Sequence, residues 1–263
     1  MATVPGALAP YVTSLMAYDS DLGGPGVHRG LPTTSLTLVL AMGEPVDVGW
    51  GDGRERKKRW STVSGLHAGP ASIHHDGTQR GIQLALTTAG ARALLGVPAG
   101  ALAGELLEVH DVAPDLADLP ERLDDLDLAA ALLVVTRALT AALAHHGAPE
   151  PRSEVGRALA GLTRGVAVAA VADEVGYSRR RLSTLVRQET GLGPKEYQRV
   201  ARFEASRRHL GHKPLADVAA DCGYADQGHL ARDWSDLAGC PPTTWLREEF
   251  PFLQDHGDLD PAR

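Results

Sequence analysis

One unit is written twice in the last third of this chain, and few sequence features restrict a fold more. Val171-Ala-Asp-Glu-Val-Gly-Tyr177 returns as Val218-Ala-Ala-Asp-Cys-Gly-Tyr224, with the Val-Ala and Gly-Tyr pairs 47 residues apart. Past the glycine the offset becomes 48, and it pairs Leu182 with Leu230, Gly191 with Gly239, Pro194 with Pro242 and Tyr197 with Trp245. A register shared on both sides of a single inserted residue marks a duplicated structural element.

Each copy has the layout of a helix-turn-helix. A short helix ends at Gly176 or Gly223, where positive φ allows a tight turn. Ala172 and Ala219 sit four residues earlier, where the two helices must approach closely. Leu182 and Leu230 face inward on the second helix, which Ser178 is placed to cap in the first copy and Asp226 in the second. Between the copies, Pro194 to Leu210 predicts one long helix, started by the proline and buried along Tyr197, Val200, Phe203 and Leu210. Such a helix would fix the separation of two DNA-facing units.

Residues 10–90 have a different texture. Apolar runs at 35–41, 46–50 and 81–87 are separated by Gly, Pro and Asp clusters, the punctuation of a sheet. Ala89 to Leu95 then predicts a short helix ended by Gly96 and Pro98. Leucines 123, 126, 132, 139 and 143, with Val135, predict an amphipathic helix over 121–146, broken near Asp127. Its apolar stripe is expected to pack within its own domain, with pairing to a second copy of the chain as the alternative. Gly147-Ala-Pro-Glu-Pro-Arg-Ser153 has two prolines and no periodicity and marks a linker. The expected fold class is α+β in two domains. A β-rich, sensor-like N-terminal domain with trailing helices occupies 1–148 and a linker 149–153. An all-α domain of two helix-turn-helix units (about 166–191 and 214–239) joined by a long helix occupies 154–250, and a tail 251–263.

Composition excludes several classes. The N-terminus, Met1 to Ala9, lacks the basic start and apolar run of a secretory signal, and apolar stretches such as 129–135 read as too short to span a bilayer. Two cysteines, Cys222 and Cys240, cannot form a disulfide scaffold and suit a reducing cytoplasm; core packing is expected of both before any redox role. The net charge of -7 argues against indiscriminate nucleic-acid binding, so the distribution matters. From Gly176 to Lys213 there are ten Lys or Arg against three Glu; from Pro214 to Phe250, two Arg against seven Asp or Glu. The first unit is therefore expected to dominate affinity for DNA, and the second to bind weakly or to take another partner.

The chain resembles the AraC/XylS transcription regulators. The resemblance is carried by Gly176-Tyr-Ser-Arg-Arg-Arg-Leu182, Gly191-Leu-Gly-Pro-Lys-Glu-Tyr197, Ala219-Ala-Asp-Cys-Gly-Tyr-Ala-Asp-Gln-Gly-His-Leu230 and Gly239-Cys-Pro-Pro-Thr-Thr-Trp245, four submotifs in order over roughly 153–250. Gly81 to Gly104 is similar to the N-terminal domain of an actinobacterial branch. The chain departs from the pattern at Trp234-Ser235, where the family carries Phe and a basic residue, and at Gly228, where a larger polar residue is frequent. The resemblance implies a cytoplasmic, one-component bacterial regulator of promoter DNA, tilted toward activation, with no cofactor. It also implies RNA polymerase, a small-molecule effector of the N-terminal domain and a homodimer partner.

On the first recognition helix, Leu182, Leu185 and Val186 point inward and leave Arg180, Ser183, Thr184 and Arg187 outside. By the family's pattern, positions 180, 183 and 184 reach base edges. Arg180 suits guanine and the Thr184 methyl suits thymine. Arg179, Arg181 and Arg187 are expected on phosphates. The matching positions of the second unit are Gly228, His229 and Arg232, with Gln227 beside them. Asp233 and Asp236 would repel phosphate if they faced it, and His229 suits capping as well as base reading.

Other readings compete. His28, His67, His74, His75 and His110 raise a metal site, but their spacing lacks a His-x-His grouping and none is expected. Arg54-Glu-Arg-Lys-Lys-Arg59 reads as an exposed hairpin tip. No phosphate-binding Gly loop, Gly-x-Ser-x-Gly elbow or paired-Cys zinc pattern supports an enzyme, and residues 1–221 hold no cysteine for a DNA-repair methyltransferase. The remaining rival is a degenerate helix-turn-helix protein that binds another protein, a reading that the acidic second unit favours.

Overall fold

The computed structural model describes residues 2–51, 56–146 and 153–248. In its N-terminal part, nine strands form two sheets. The first runs β1 (Val12–Asp21), β8 (Thr78–Leu86), β3 (Leu36–Ala41), β6 (Ser61–Ser64) and β9 (Leu106–Leu107); the second runs β2 (Gly26–Gly30), β7 (Ala71–His75), β4 (Val46–Trp50) and β5 (Lys57–Arg59). Side chains alternate along a strand, and the antiparallel register aligns Leu36, Leu38 and Leu40 with Leu86, Leu84 and Ile82, all fully buried. The second sheet closes over a smaller cluster of Val48, Trp50 and Ala71, with Val46, Ile73 and Leu106 at its edge.

The hairpin expected at 54–59 is tied down from Arg56 on. Lys57–Arg59 is a strand paired with β4; Arg56 pairs with Asp47 at 3.4 Å and donates to His74, and Arg59 donates to the Leu106 carbonyl. The tip itself falls partly at 52–55, outside the described residues.

Helix α1 (Thr88–Leu95) is capped by the Thr87 hydroxyl and ends at Gly96 with φ +74°. The expected break near Asp127 is present. After the short α2 (Val109–Val112), α3 (Leu119–Leu123) ends before α4 (Leu128–His146), and the Asp127 carboxylate accepts from the Ala130 amide. Contrary to the sequence reading, α4 is long and apolar enough to cross a membrane, with a mean hydropathy of 1.7. Ala131, Val135, Ala138, Leu139 and Ala142 are nevertheless buried against the domain, where α4 meets α1, β1 and β8. One face of α4 is thus packed on the domain, and of its large apolar residues Leu133 alone stands well exposed on the other.

The predicted linker lies outside the described residues except Ser153, which opens α5 (Ser153–Thr163). The C-terminal part is all helix: α6 (Val168–Glu174), α7 (Arg179–Thr190), α8 (Pro194–Arg207), α9 (Leu215–Asp221), α10 (Gln227–Ala238) and α11 (Pro242–Glu248). The long helix α8 stops at Arg207, three residues before the expected end, although Leu210 stays fully buried in the turn that follows.

The two parts meet at the C-terminal end of α7. Arg92 grips buried Glu189 with Nη2–Oε2 at 2.9 Å, and the amide and hydroxyl of Thr34 donate to Glu204 Oε2 on α8 at 3.0 and 2.7 Å. The equivalent glycines of the repeat, Gly191 and Gly239, both face the N-terminal part: a Cβ on Gly191 would strike Ala103, and one on Gly239 would lie 3.3 Å from Pro70. Arg29 adds an ion pair to Glu248 of α11 at 3.0 Å.

Burial against Trp50, whose ring lies edge-on at 4.6 Å, lowers the His67 imidazole from 6.5 to about 4, against the opposing effect of its hydrogen bond to the Gly69 carbonyl. The unfolded chain therefore binds an extra proton between these values, and folding stability falls as pH drops from 6.5 toward 4. Replacing His67 with Gln should flatten this acid slope of the unfolding free energy by up to ~3 kcal/mol, measured by urea titration at pH 7 and pH 4.5.

Candidate nucleic-acid interface

Helix α7 is held by its inner face and both ends. Ser178 Oγ accepts from the Arg181 amide at the start, Gly191 closes the end with φ +77°, and Leu182, Leu185 and Val186 are buried. The outer face then follows from the helical period. Arg179, Arg180, Arg181, Thr184 and Arg187 are exposed and Ser183 is half-buried. Among the described residues none of these four arginines has an ion-pair partner. Thr184 Oγ1 donates to the Arg180 carbonyl at 3.1 Å. Arg187 reaches the far end of the helix and lies along Gly193, at the start of α8.

Helix α10 repeats the arrangement. Asp226 Oδ1 accepts from the His229 amide at 2.6 Å, and Leu230, Trp234 and Leu237 are fully buried. Gln227, Gly228 and Arg232 are exposed. His229 serves the local structure: its Nδ1 accepts from the Ala225 amide at 3.3 Å and its ring lies edge-on to Tyr224 at 5.2 Å. With Nδ1 so used, the proton sits on Nε2.

Asp233 and Asp236, which would repel phosphate if they faced it, are both paired with arginines of α8. Asp233 is only 6% exposed and is held by Arg199 Nε at 2.7 Å and Arg202 Nη2 at 2.9 Å; Asp236 takes the second arm of Arg199 at 2.6 Å. Both acids thus turn back onto α8, and two of the ten cations counted for the first unit neutralise the second unit from within. On the opposite side Lys213 pairs with Asp221 at 2.7 Å. Three of the ten cations and three of the seven acids are thus paired across the two halves, which weakens the charge argument for a protein-binding second unit. The signal was present in the sequence: Arg199 and Arg202 are three apart on one helix, as are Asp233 and Asp236 on the other. The contacts of Arg92 and Thr34 with Glu189 and Glu204 carried no such signal, because they span 97 and 170 residues of chain.

Cys240 is buried and Cys222 half-buried, with its thiol pushed up by burial and by Asp221, which suits packing and not thiolate chemistry. Among the described residues no group of three or more His, Cys, Asp or Glu is placed to hold a metal ion.

Comparison with known proteins matches residues 171–248 to a helix-turn-helix domain family. Over 64 residues the chain is 36% identical to the HTH-type transcriptional activator RhaS of Escherichia coli O157:H7, which is 24% of this chain and 23% of RhaS. Residues 171–248 thus carry a helix-turn-helix domain similar to those of transcription regulators. The chain spans about a quarter of the length of the curated relatives it matches. ToxT of Vibrio cholerae shares the two-part fold over 89% of this chain and 98% of its own, with a TM-score of 0.55 at 11% identity. ToxT solved with an unsaturated fatty acid bound overlays with a TM-score of 0.51 over 94% of this chain and 97% of its own, again at 11% identity. The departure from the family pattern at Trp234-Ser235 has a structural account. The Trp234 indole lies 4.5 Å from the Phe203 ring and 5.3 Å from Trp245, and donates to Ser206 Oγ at 2.9 Å, so the larger ring fills the centre of the second unit. Ser235 only returns its hydroxyl to the Ala231 carbonyl.

Asp233→Ala leaves two partly exposed guanidinium groups without their shared carboxylate and should destabilise the fold by about 1–3 kcal/mol. Asp236→Ala, on an exposed partner, should cost less than ~1 kcal/mol. Urea unfolding of the two variants checks the order.

Proposed function

We propose that this chain is a cytoplasmic, sequence-specific transcription regulator that reads promoter major grooves with its two helix-turn-helix units. One observation carries the reading. A capped and well-packed helix presents Arg179, Arg180, Arg181, Ser183 and Thr184 on its outer side without ion pairs among the described residues. Uncommitted guanidinium groups on a helix narrow enough to enter the groove are what duplex DNA, a dense line of negative charge, selects. Arg180, Ser183 and Thr184 read bases, while Arg179, Arg181 and Arg187 position the helix on phosphates. Gln227, Gly228, His229 and Arg232 form the corresponding surface of the second unit. The reading assigns no reaction to the chain.

Residues 1–148 serve as the sensor and dimerisation domain and 154–250 as the DNA-binding domain. A cavity of about 640 Å³ at the end of the two sheets, edged by Tyr18, Met42, Arg56, His75 and Arg80, supports a small-molecule effector. RNA polymerase and a second copy of the chain complete the partners, activation being the output by analogy with RhaS. Leu133 supports the second copy, standing 59% exposed on a helix whose opposite face is buried.

Gel-shift titration of the full chain should show tighter binding to its own promoter than to a scrambled duplex. It should also show a steep loss of affinity with salt, about 0.9 log units per log unit of salt for each phosphate contact. Arg180→Ala should cost about 1–3 kcal/mol and remove the preference for one G·C pair, whereas Arg179→Ala should weaken all sequences alike. Equal binding of promoter and scrambled DNA by the unaltered protein would falsify the reading.

A further inference from the structure

Where the loop after β6 faces the turn between α7 and α8, the two parts of the molecule leave a cleft of about 450 Å³, separate from the cavity at the end of the sheets. Trp50, His67 and Pro70 line it from the N-terminal part, Leu192 and Glu196 from the first helix-turn-helix unit. The two walls touch where Ala103 meets Gly191. Beyond that contact they stand apart: a Cβ on Gly69 or Gly104, two further lining residues, would meet nothing within 4 Å. The volume is that of a small-molecule site.

The ionisable side chains of the cleft both accept hydrogen bonds. Glu196, in the first turn of α8, is exposed and is the only formally charged group among the described residues that line the cleft. Among the described residues its carboxylate has no ion-pair partner. His67 donates from Nδ1 to the Gly69 carbonyl, and burial keeps its ring neutral at pH 7, so Nε2 presents a bare lone pair. Backbone donors of the lining are already spent. The Gly104 amide bonds the Leu66 carbonyl at 2.9 Å, that of Gly191 the Arg187 carbonyl at 2.8 Å, and that of Leu192 the Thr190 hydroxyl at 3.1 Å. Trp50 adds an aromatic ring, whose π system attracts cations, and buried Leu66 and Leu192 add apolar surface.

We propose that this cleft is a binding site for a small organic cation, an ammonium group on an apolar body, held between the second sheet and the first helix-turn-helix unit. The ammonium donates to the Glu196 carboxylate and to His67 Nε2, and the body lies against Trp50, Pro70 and Leu192. An anionic ligand would meet that carboxylate and find no cation among the described lining residues. One wall is the turn at Gly191 that closes α7, so occupancy ties the N-terminal part to the first unit. The assignment goes beyond the DNA-binding reading and takes no support from it.

The test is calorimetric titration of the full-length protein with phenethylammonium chloride at pH 7, with phenethyl alcohol and phenylpropionate as the neutral and anionic matches. The ammonium should bind at one saturable site, the alcohol about tenfold more weakly and the carboxylate not at all. Glu196→Gln, a change at an exposed side chain, should lower affinity for the ammonium about tenfold, to the level of the alcohol. Lys195→Gln, at an exposed neighbour outside the cleft, should not weaken binding. Binding should also change the tryptophan fluorescence, and Trp50→Phe should remove that change although Trp60, Trp234 and Trp245 remain. Glu196→Gln decides the matter by itself should Trp50→Phe, a change in a packed ring, fail to fold. No saturable binding of the ammonium, equal binding of the three compounds, or an affinity unmoved by Glu196→Gln would each overturn the proposal. So would a fluorescence change that survives Trp50→Phe, which would place the cation elsewhere. None of these outcomes bears on promoter binding, which the gel-shift titration measures separately.

Discussion

A carboxylate removed from water must find cationic partners, and Asp233 finds two on the neighbouring helix. Arg199 and Arg202 reach it from α8, while Trp234, the next residue of α10, packs on Phe203 of that same helix and bonds Ser206. The ionic and apolar contacts are one residue apart and lock α10 onto α8 from adjacent directions. Because α8 also carries the first unit through Tyr197 and Val200, the orientation of one recognition helix relative to the other depends on this junction. Removing one partner of such a buried pair is costly because the remaining charges are left without compensation.

The same pairing changes the electrostatic picture of the outer faces of α7 and α10. Formal charge assigns a strongly positive first unit and a negative second one, but charges paired with one another at under 3 Å project little net field outside the pair. What faces outward is a cluster of uncommitted arginines on α7 and the single guanidinium of Arg232 on α10. The N-terminal part sits behind both units. It touches the turn at Gly191 through Ala103 and the equivalent turn at Gly239 through Pro70, and it holds Glu189, Glu204 and Glu248 by polar contacts. Both helix-turn-helix units are thus seated on one support, at the C-terminal ends of α7 and α10.

Much of this was legible in the residues. The caps at Ser178 and Asp226, the inward leucines 182 and 230, the paired turn glycines and the break near Asp127 are local, set by hydrogen-bonding groups and periodicity within a few residues. The length of α8 was overread because Leu210 belongs to the buried stripe although the helix has already ended, so burial and helicity part company there. Helix α4 was underread for a related reason. Scanning for unbroken apolar runs missed a segment whose threonines, histidines and single arginine interrupt the run yet leave its mean hydropathy at 1.7.

By itself the sequence determined the duplicated unit, its caps, its buried stripes and therefore which side chains of α7 and α10 point outward, since all of these follow from spacing along a single helix. Tertiary structure decided which charges remain available to a partner. Whether Arg199 faces DNA or Asp233 depends on distances between helices and on the direction of long side chains. Composition counts charges without regard to what stands opposite them, and only the packed fold supplies that opposite group.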